Sequence, residues 1–367
     1  MIKGFSTAEG TARFRDRFES KLPGHFRQAD NLSISSIGLG TYLGEPTAAF
    51  DSLYRDAVRR AVEMGTNIFD SAVNYRHQRS ERAVGQALAE LIAEGNLKRD
   101  EIILATKGGF LTFDGDEPND PSAYFFEKMI QTGLVRPAEV VAHCHVMSPK
   151  YLENQIDTSR ANLGVETLDI YYLHNPETQL GEVSRQEFFR RLKAAFAQLE
   201  KAVADGKIRV YGAATWNAFR VGPEARDALS LLEVLRAAQE VGGQDHHFRV
   251  VQLPFNLAMP EALVANTQAI DTQRVPCLHV ARTQGLMVFA SASLMQSQLT
   301  RGLPLELRNR FPGLTTDAQR AIQFVRSTPG ITSALVGMSH RAHVEENLGT
   351  ALVRPLALEQ FRAIFVK

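Results

Sequence analysis

The sequence predicts an α/β protein built as a single (β/α)8 TIM barrel, with an N-terminal extension and a long insertion after the third strand. Eight short runs rich in β-branched residues alternate with longer segments whose apolar residues recur at three- and four-residue spacing. A crossover helix after each strand returns the chain to the same end, so neighbouring strands run parallel, and eight such units can close around a packed interior. The rival, an open doubly wound sheet, is expected to carry a GxGxxG directly after its first strand. Here "GLGTYLGEP" has glycines at the wrong spacing and reads as a strand-end turn.

Residues 1–32 form the extension and residues 33–367 the barrel. The strand candidates are Ile34–Tyr42, Asn67–Ala72, Glu101–Gly109 and Leu168–Pro176, then Ile208–Trp216, Val250–Asn256, Leu286–Ser293 and Thr332–Ser339. Each precedes a helical pattern such as "FFRRLKAAFAQLEKAVADGK", and Gly65 and Gly206 act as helix stop signals. The exception is 109–147. A βα loop is commonly a few residues, so this stretch is an insertion at the carboxyl face, where barrel active sites lie. Phe110, Phe113, Tyr124, Phe125 and Phe126 suit either a lid over a site or a flap packed on the rim.

Bulk composition excludes several classes. Of 367 residues, 44% are hydrophobic and 22% charged, as in a soluble globular protein with a large core. Lys plus Arg equals Asp plus Glu at 41 each, so charge gives no reason to expect nucleic acid or an acidic membrane as partner. The first residues lack the apolar core of a signal peptide, and no run approaches the roughly 18 apolar residues of a membrane span. Two cysteines, Cys144 and Cys277, are too few for a disulfide scaffold, and a cytoplasmic setting is expected.

Polar residues cluster at consecutive strand ends. The second strand ends at Asp70, with Tyr75 just beyond; the third ends at Lys107 and the fourth at His174. Singly, each has an ordinary explanation as a helix cap, packing residue or rim charge. Together they bring a phenol, an ammonium, a carboxylate and an imidazole to one patch of one face. A nearby ammonium lowers the pKa of a phenol, normally about 10. Lys107, held by Asp70, could so prepare Tyr75 to protonate an oxygen gaining negative charge, while His174 orients that oxygen. A carbonyl receiving hydride is such a group. No side chain supplies hydride, so a nicotinamide cofactor is implied. In "AHCHV", His143, Cys144 and His145 alternate in direction along an extended segment, so no metal site is expected.

The motifs resemble those of the aldo-keto reductase superfamily across roughly Ser33 to Asn347. "FDSAVNY" with "SERAVGQAL", "LATK", "LDIYYLHNPE", "DGKIRVYGAATWN" and "ALVGMSHRAHVEENL" follow in the family's order. The resemblance implies a barrel oxidoreductase using NADP(H), with NAD(H) as the other candidate, on a small carbonyl or alcohol substrate. It makes Tyr75 the proton donor, tuned by Lys107 and Asp70, with His174 orienting the carbonyl. It places cofactor contacts at Thr41, Asp70, Thr215, Asn217, Gln252, Ser291, Ser293, Leu294, Gly337, Ser339, His343, Glu346 and Asn347. Tyr42, His77 and Trp216 are implied to meet substrate, although His77 could equally lie on the rim.

Departures from the pattern are also plain. Arg76 and His77 follow the tyrosine where the family commonly has glycine. Ala214 and Thr215 stand where it often has Ser-Asn, and "FASASLMQ" lacks the aromatic that many relatives stack on the nicotinamide. Arg341 and His340 are the nearest positive charges for a 2′-phosphate. Those changes keep alive a nicotinamide-binding sensor with little turnover, and a hydrolase or isomerase on the same barrel is a third option.

Overall fold

The computed structural model describes residues 1–365. In chain order its strands are β1 (Phe26–Ala29), β2 (Leu32–Ser35), β3 (Ile37–Gly40), β4 (Ile68–Asp70), β5 (Ile103–Gly108) and β6 (Leu168–His174). They continue with β7 (Ile208–Ala214), β8 (Phe248–Pro254), β9 (Gln268–Ile270), β10 (Gln273–Val275), β11 (Met287–Ser291) and β12 (Ser333–Gly337). Eight of them close a barrel in the order β3-β4-β5-β6-β7-β8-β11-β12, every neighbouring pair parallel. The open sheet is thereby excluded, and each expected strand region contains one barrel strand.

The first candidate strand, Ile34–Tyr42, divides at Ser36. Its start belongs to β2, which pairs antiparallel with β1 in a hairpin. Its remainder is β3. The expected boundary at Leu32 therefore falls within this hairpin. Ile34 enters the barrel from below and packs with Ile68, Ile103, Ile170, Val250, Met287 and Leu335, closing the floor. A helix, Ala8–Asp16, capped by Thr7, lies beside it. Arg13 pairs with Asp100 and Glu101 at 2.6 and 2.9 Å. The buried Asp169 carboxylate accepts from the Ser6 and Leu104 amides and from Arg99.

Arg326, fully buried near the C-terminus, donates to the carbonyls of Thr350 and Val353 and to the Ser36 hydroxyl. One guanidinium thus joins the helix Asp317–Ser327, the C-terminal segment and the hairpin. Among the described residues no helix is long and apolar enough to cross a membrane.

Strand alternation positions the site. Inside the barrel, Ile68, Ile103 with Ala105, Ile170 with Tyr172, and Val250 form apolar layers. Two residues further up the same strands come Asp70, Lys107, His174 and Gln252. The period of two that buries the isoleucines turns these polar groups inward at the carboxyl mouth.

The stretch 109–147 is well structured. It holds a short helix, Pro121–Phe125, a π turn, Phe126–Ile130, and a 3-10 turn, Pro137–Glu139. It returns to the barrel through bridges of His145 with Phe110 and Val141. Phe113 contacts Tyr124 and stacks on Phe125 at 4.9 Å, a small aromatic core for the flap.

Candidate active site

A cavity of about 490 Å³ opens at the carboxyl ends of the strands. Asp70, Tyr75 and His174 line it. Beneath them the Lys107 ammonium, fully buried, donates to Asp70 Oδ2 at 2.6 Å and to the Ser71 carbonyl at 2.8 Å. Gln252 Nε2 donates to the other Asp70 oxygen at 2.8 Å, so both oxygens of the carboxylate are engaged. The ammonium stands 4.8 Å from the Tyr75 ring centroid. Tyr75 meets His174 and Tyr42 edge-on at 5.8 and 5.1 Å.

The electrostatics differ in one respect from expectation. Burial pushes the Tyr75 phenol above its ordinary pKa, and the charge and hydrogen bonding of Lys107 only partly oppose it. The physical reason is the 2.6 Å pairing with Asp70, which spends much of the ammonium's field on the carboxylate. Burial also works against the Lys107 charge, but Asp70 and Tyr75 outweigh it and raise its pKa. His174 is held neutral by burial and by the Lys107 charge. Tyr75 is therefore a protonated acid beside a neutral imidazole.

His174 is fixed from outside the cavity. His145, from the 109–147 stretch, bonds through Nε2 to the His174 carbonyl at 2.7 Å, and its Nδ1 meets the Gln179 amide at 2.9 Å. Phe110 packs edge-on against both imidazoles at 4.9 and 5.0 Å. Gly109 makes this possible: a Cβ there would lie 3.0 Å from His145 Nε2 and 3.1 Å from the His174 carbonyl, at φ +139°. Phe110 lines the cavity, while Phe113, Tyr124 and Phe125 pack together within the flap. The "AHCHV" segment thus supplies a buried, neutral hydrogen-bonding histidine, His145.

The other residues singled out from sequence divide into two groups. Thr41, Tyr42, Thr215, Trp216, Gln252, Ser291, Ser293, Leu294 and Gly337 all line the cavity. Ser339, His343, Glu346 and Asn347 lie beyond its wall. Ser339 follows β12, and the other three belong to the helix Arg341–Leu348. His343 packs on His340, and the Glu346 carbonyl accepts from Gln319. Asn217 also lies outside the lining, its side chain donating to Asp227 at 2.8 Å. The His77 ring packs on Phe113 at 5.1 Å, on the flap side rather than in the cavity.

Arg76 carries out the turn expected of glycine. It adopts φ +49°, and His77 and Gln78 are left-handed too. The strain is offset by its side chain, which donates to the carbonyls of Glu45 and Thr47 and pairs with Asp51 at 2.7 Å. Four polar lining residues gave no sequence signal of a role: Asn74, Asn175, Gln296 and Ser297. All come from loops, and three are left-handed, at φ +45° to +71°. Only the Asn-Pro pair at Asn175 marks its turn in the sequence.

A model of the aldo/keto reductase family matches residues 36–223, just over half of the chain. The NADH-specific methylglyoxal reductase of Escherichia coli is 28% identical over 193 residues, 51% of this chain and 50% of that protein. An uncharacterized oxidoreductase of Bacillus subtilis, YqkF, is 24% identical over 349 residues, covering 91% and 92% of the two chains. The chain spans about half the length of two of the curated relatives it matches. An aldo/keto reductase from Klebsiella pneumoniae, solved with NADP and acetate, superposes with a TM-score of 0.61 at 22% identity. That superposition covers 93% of this chain and 94% of the other.

Proposed function

The chain belongs to the aldo/keto reductase family, and from that premise we propose that it interconverts a small aldehyde or ketone and its alcohol using NADP(H) or NAD(H). The observation that carries the proposal is the convergence of Asp70, Lys107, Tyr75 and His174 at one cavity. A nicotinamide, when bound, supplies the hydride. Tyr75 delivers a proton to the carbonyl oxygen, and Lys107 stabilises the phenolate left behind. Asp70 keeps Lys107 charged and aimed. His174, neutral, offers an N–H that orients the carbonyl.

The cavity's donor set fits such a cofactor. Thr215 follows β7, Ser291 ends β11 and Gln252 lies on β8 between those two strands, and all three line the cavity. The loop Ala292–Ser297 turns through left-handed residues at the cavity wall, the kind of backbone turn from which anion-binding concavities are built. NADP in the Klebsiella structure and NADH specificity in the Escherichia relative support a nicotinamide without choosing between the two forms. The lining contains no Lys or Arg, so selectivity for a 2′-phosphate would rest on groups beyond the wall, Arg341 first.

The absence of an aromatic from Ser291 to Ser297 favours a second reading, a nicotinamide-binding sensor with little turnover. Purified protein mixed with NADPH or NADH and a carbonyl panel separates the possibilities through loss of nicotinamide absorbance. Multiple turnover supports the reductase, tight retention with negligible turnover supports the sensor, and neither binding nor turnover sinks both.

A further inference from the structure

Glu177 is a carboxyl that the chemistry above leaves unused. It lies three residues after His174, in the 3-10 turn Pro176–Gly181 that follows β6, and it is 4% exposed. Its Oε1 accepts from the backbone N–H of Trp216 at 2.6 Å and of Asn217 at 3.1 Å. These residues begin the loop after β7, and the Trp216 ring forms an edge of the cavity. One carboxylate therefore ties the strand end that carries His174 to the strand end that carries Thr215 and Trp216. The other oxygen, Oε2, is sealed from solvent and makes no side-chain hydrogen bond among the described residues.

We propose that Glu177 is a positioning residue: its ionised carboxylate clamps the Trp216–Asn217 turn and so sets the aromatic wall against which substrate is held. Two N–H donors converging on one charged oxygen make stronger bonds than they would to a neutral acceptor. The group has no compensating cation. Its own turn holds no other titratable residue, and His174 and Glu182 flank that turn in the chain. The facing loop carries Arg220, Glu224, Arg226 and Asp227, and the next helix begins with Arg185. Arg220 pairs with Glu261 at 3.4 Å, Asp227 accepts from Asn217, Arg226 donates to the Leu180 carbonyl, and Arg185 bonds the Ala228 carbonyl and Glu233.

Burial without a cation pushes the Glu177 carboxyl up to about 7, against the opposing pull of the Trp216, Glu177, Asn217 and Ala218 amides. The clamp is thus fully charged above neutrality and is weakened by protonation below it. Because the folded pKa is raised, ionising Glu177 costs stability as pH rises from about 4.5 to about 7. The fold keeps a charged group there despite that cost, which is the mark of a positioning role rather than of a staple.

The proposal rests on the reductase reading only for what the wall touches, and its main test needs no turnover. Trp216 is the sole tryptophan in the chain, so intrinsic emission reports on this turn alone. In the wild-type protein, lowering pH from 8.5 to 5.5 should shift the emission to the red with a midpoint near 7 and raise quenching by acrylamide. Glu177→Gln, which keeps size but not charge, should abolish that midpoint while near-neutral circular dichroism stays native. With a turned-over carbonyl, the same variant should raise KM several-fold and leave kcat within about twofold. A wild-type emission flat across this range, or a midpoint that survives in Glu177→Gln, overturns the proposal. A failure of the reductase reading would instead appear as no nicotinamide-dependent turnover, with the emission titration intact.

Discussion

Removing one partner of the Asp70–Lys107 pair leaves the other largely buried without its counter-charge. Breaking such a buried pair costs about 3–5 kcal/mol. Asp70→Asn and Lys107→Met are each expected to lower unfolding free energy by that order, and the double variant by less than their sum. Denaturant melts of the three proteins check this. At Tyr75 the expectation is chemical rather than structural. Tyr75→Phe should lower kcat by about 10²- to 10⁴-fold, the usual worth of a positioned general acid, while nicotinamide affinity changes little. The raised phenol pKa sets the pH dependence. Reduction should stay level through neutral pH, because its acid remains protonated there. Alcohol oxidation, in which Tyr75 must accept a proton, should quicken as pH rises.

Among the elements, the turn Arg76–Gln78 shows how a non-glycine keeps a glycine's conformation. Arg76→Ala loses the anchors to Glu45, Thr47 and Asp51 yet keeps the left-handed strain. Arg76→Gly loses the anchors and relieves the strain, worth about 1 kcal/mol. The glycine variant is therefore expected to be the more stable of the two in thermal melts, with both below wild type. This anchoring was not legible in the sequence, where Arg76 and His77 marked only a departure from glycine. What was legible follows from periodicity. Asp70, Lys107 and His174 sit in register with buried isoleucines, so a period-two pattern placed them correctly. Asn74, Asn175 and Ser297 reach the cavity through loop dihedrals, which no periodicity encodes. His145 was visible as a residue, but its role depends on the flap folding back across Gly109.

For the molecule as a whole, buried histidines tie stability to pH: His174 of the site, and with it His25 and His145. Burial and nearby Arg326 hold His25 down at about 3, and burial holds His145 at about 4. In the unfolded chain all three titrate near 6.5. As pH falls from about 6.5 toward 4 the unfolded state binds more protons, so stability should fall by up to about 1.4 kcal/mol per pH unit for each group. Melting temperatures recorded from pH 7.5 to 4.5 should decline, less steeply than the histidines alone would give because protonation of Glu177 is stabilising over the same range, and His145→Gln should flatten part of that slope. The barrel was readable from eight alternating units, whereas its floor was not. Strands β1 and β2 have four residues each, too short to stand out from neighbouring loops. The floor they leave unannounced has a kinetic consequence. With Ile34 packed among Ile68, Ile103, Ile170 and Val250 beneath the polar layer, the barrel interior below the cavity is filled. On the reductase reading, two ligands that share the cavity are expected to enter and leave in sequence, the deeper one first in and last out. Initial-rate product inhibition should therefore follow an ordered pattern, with one product competitive against the first ligand to enter and the other not.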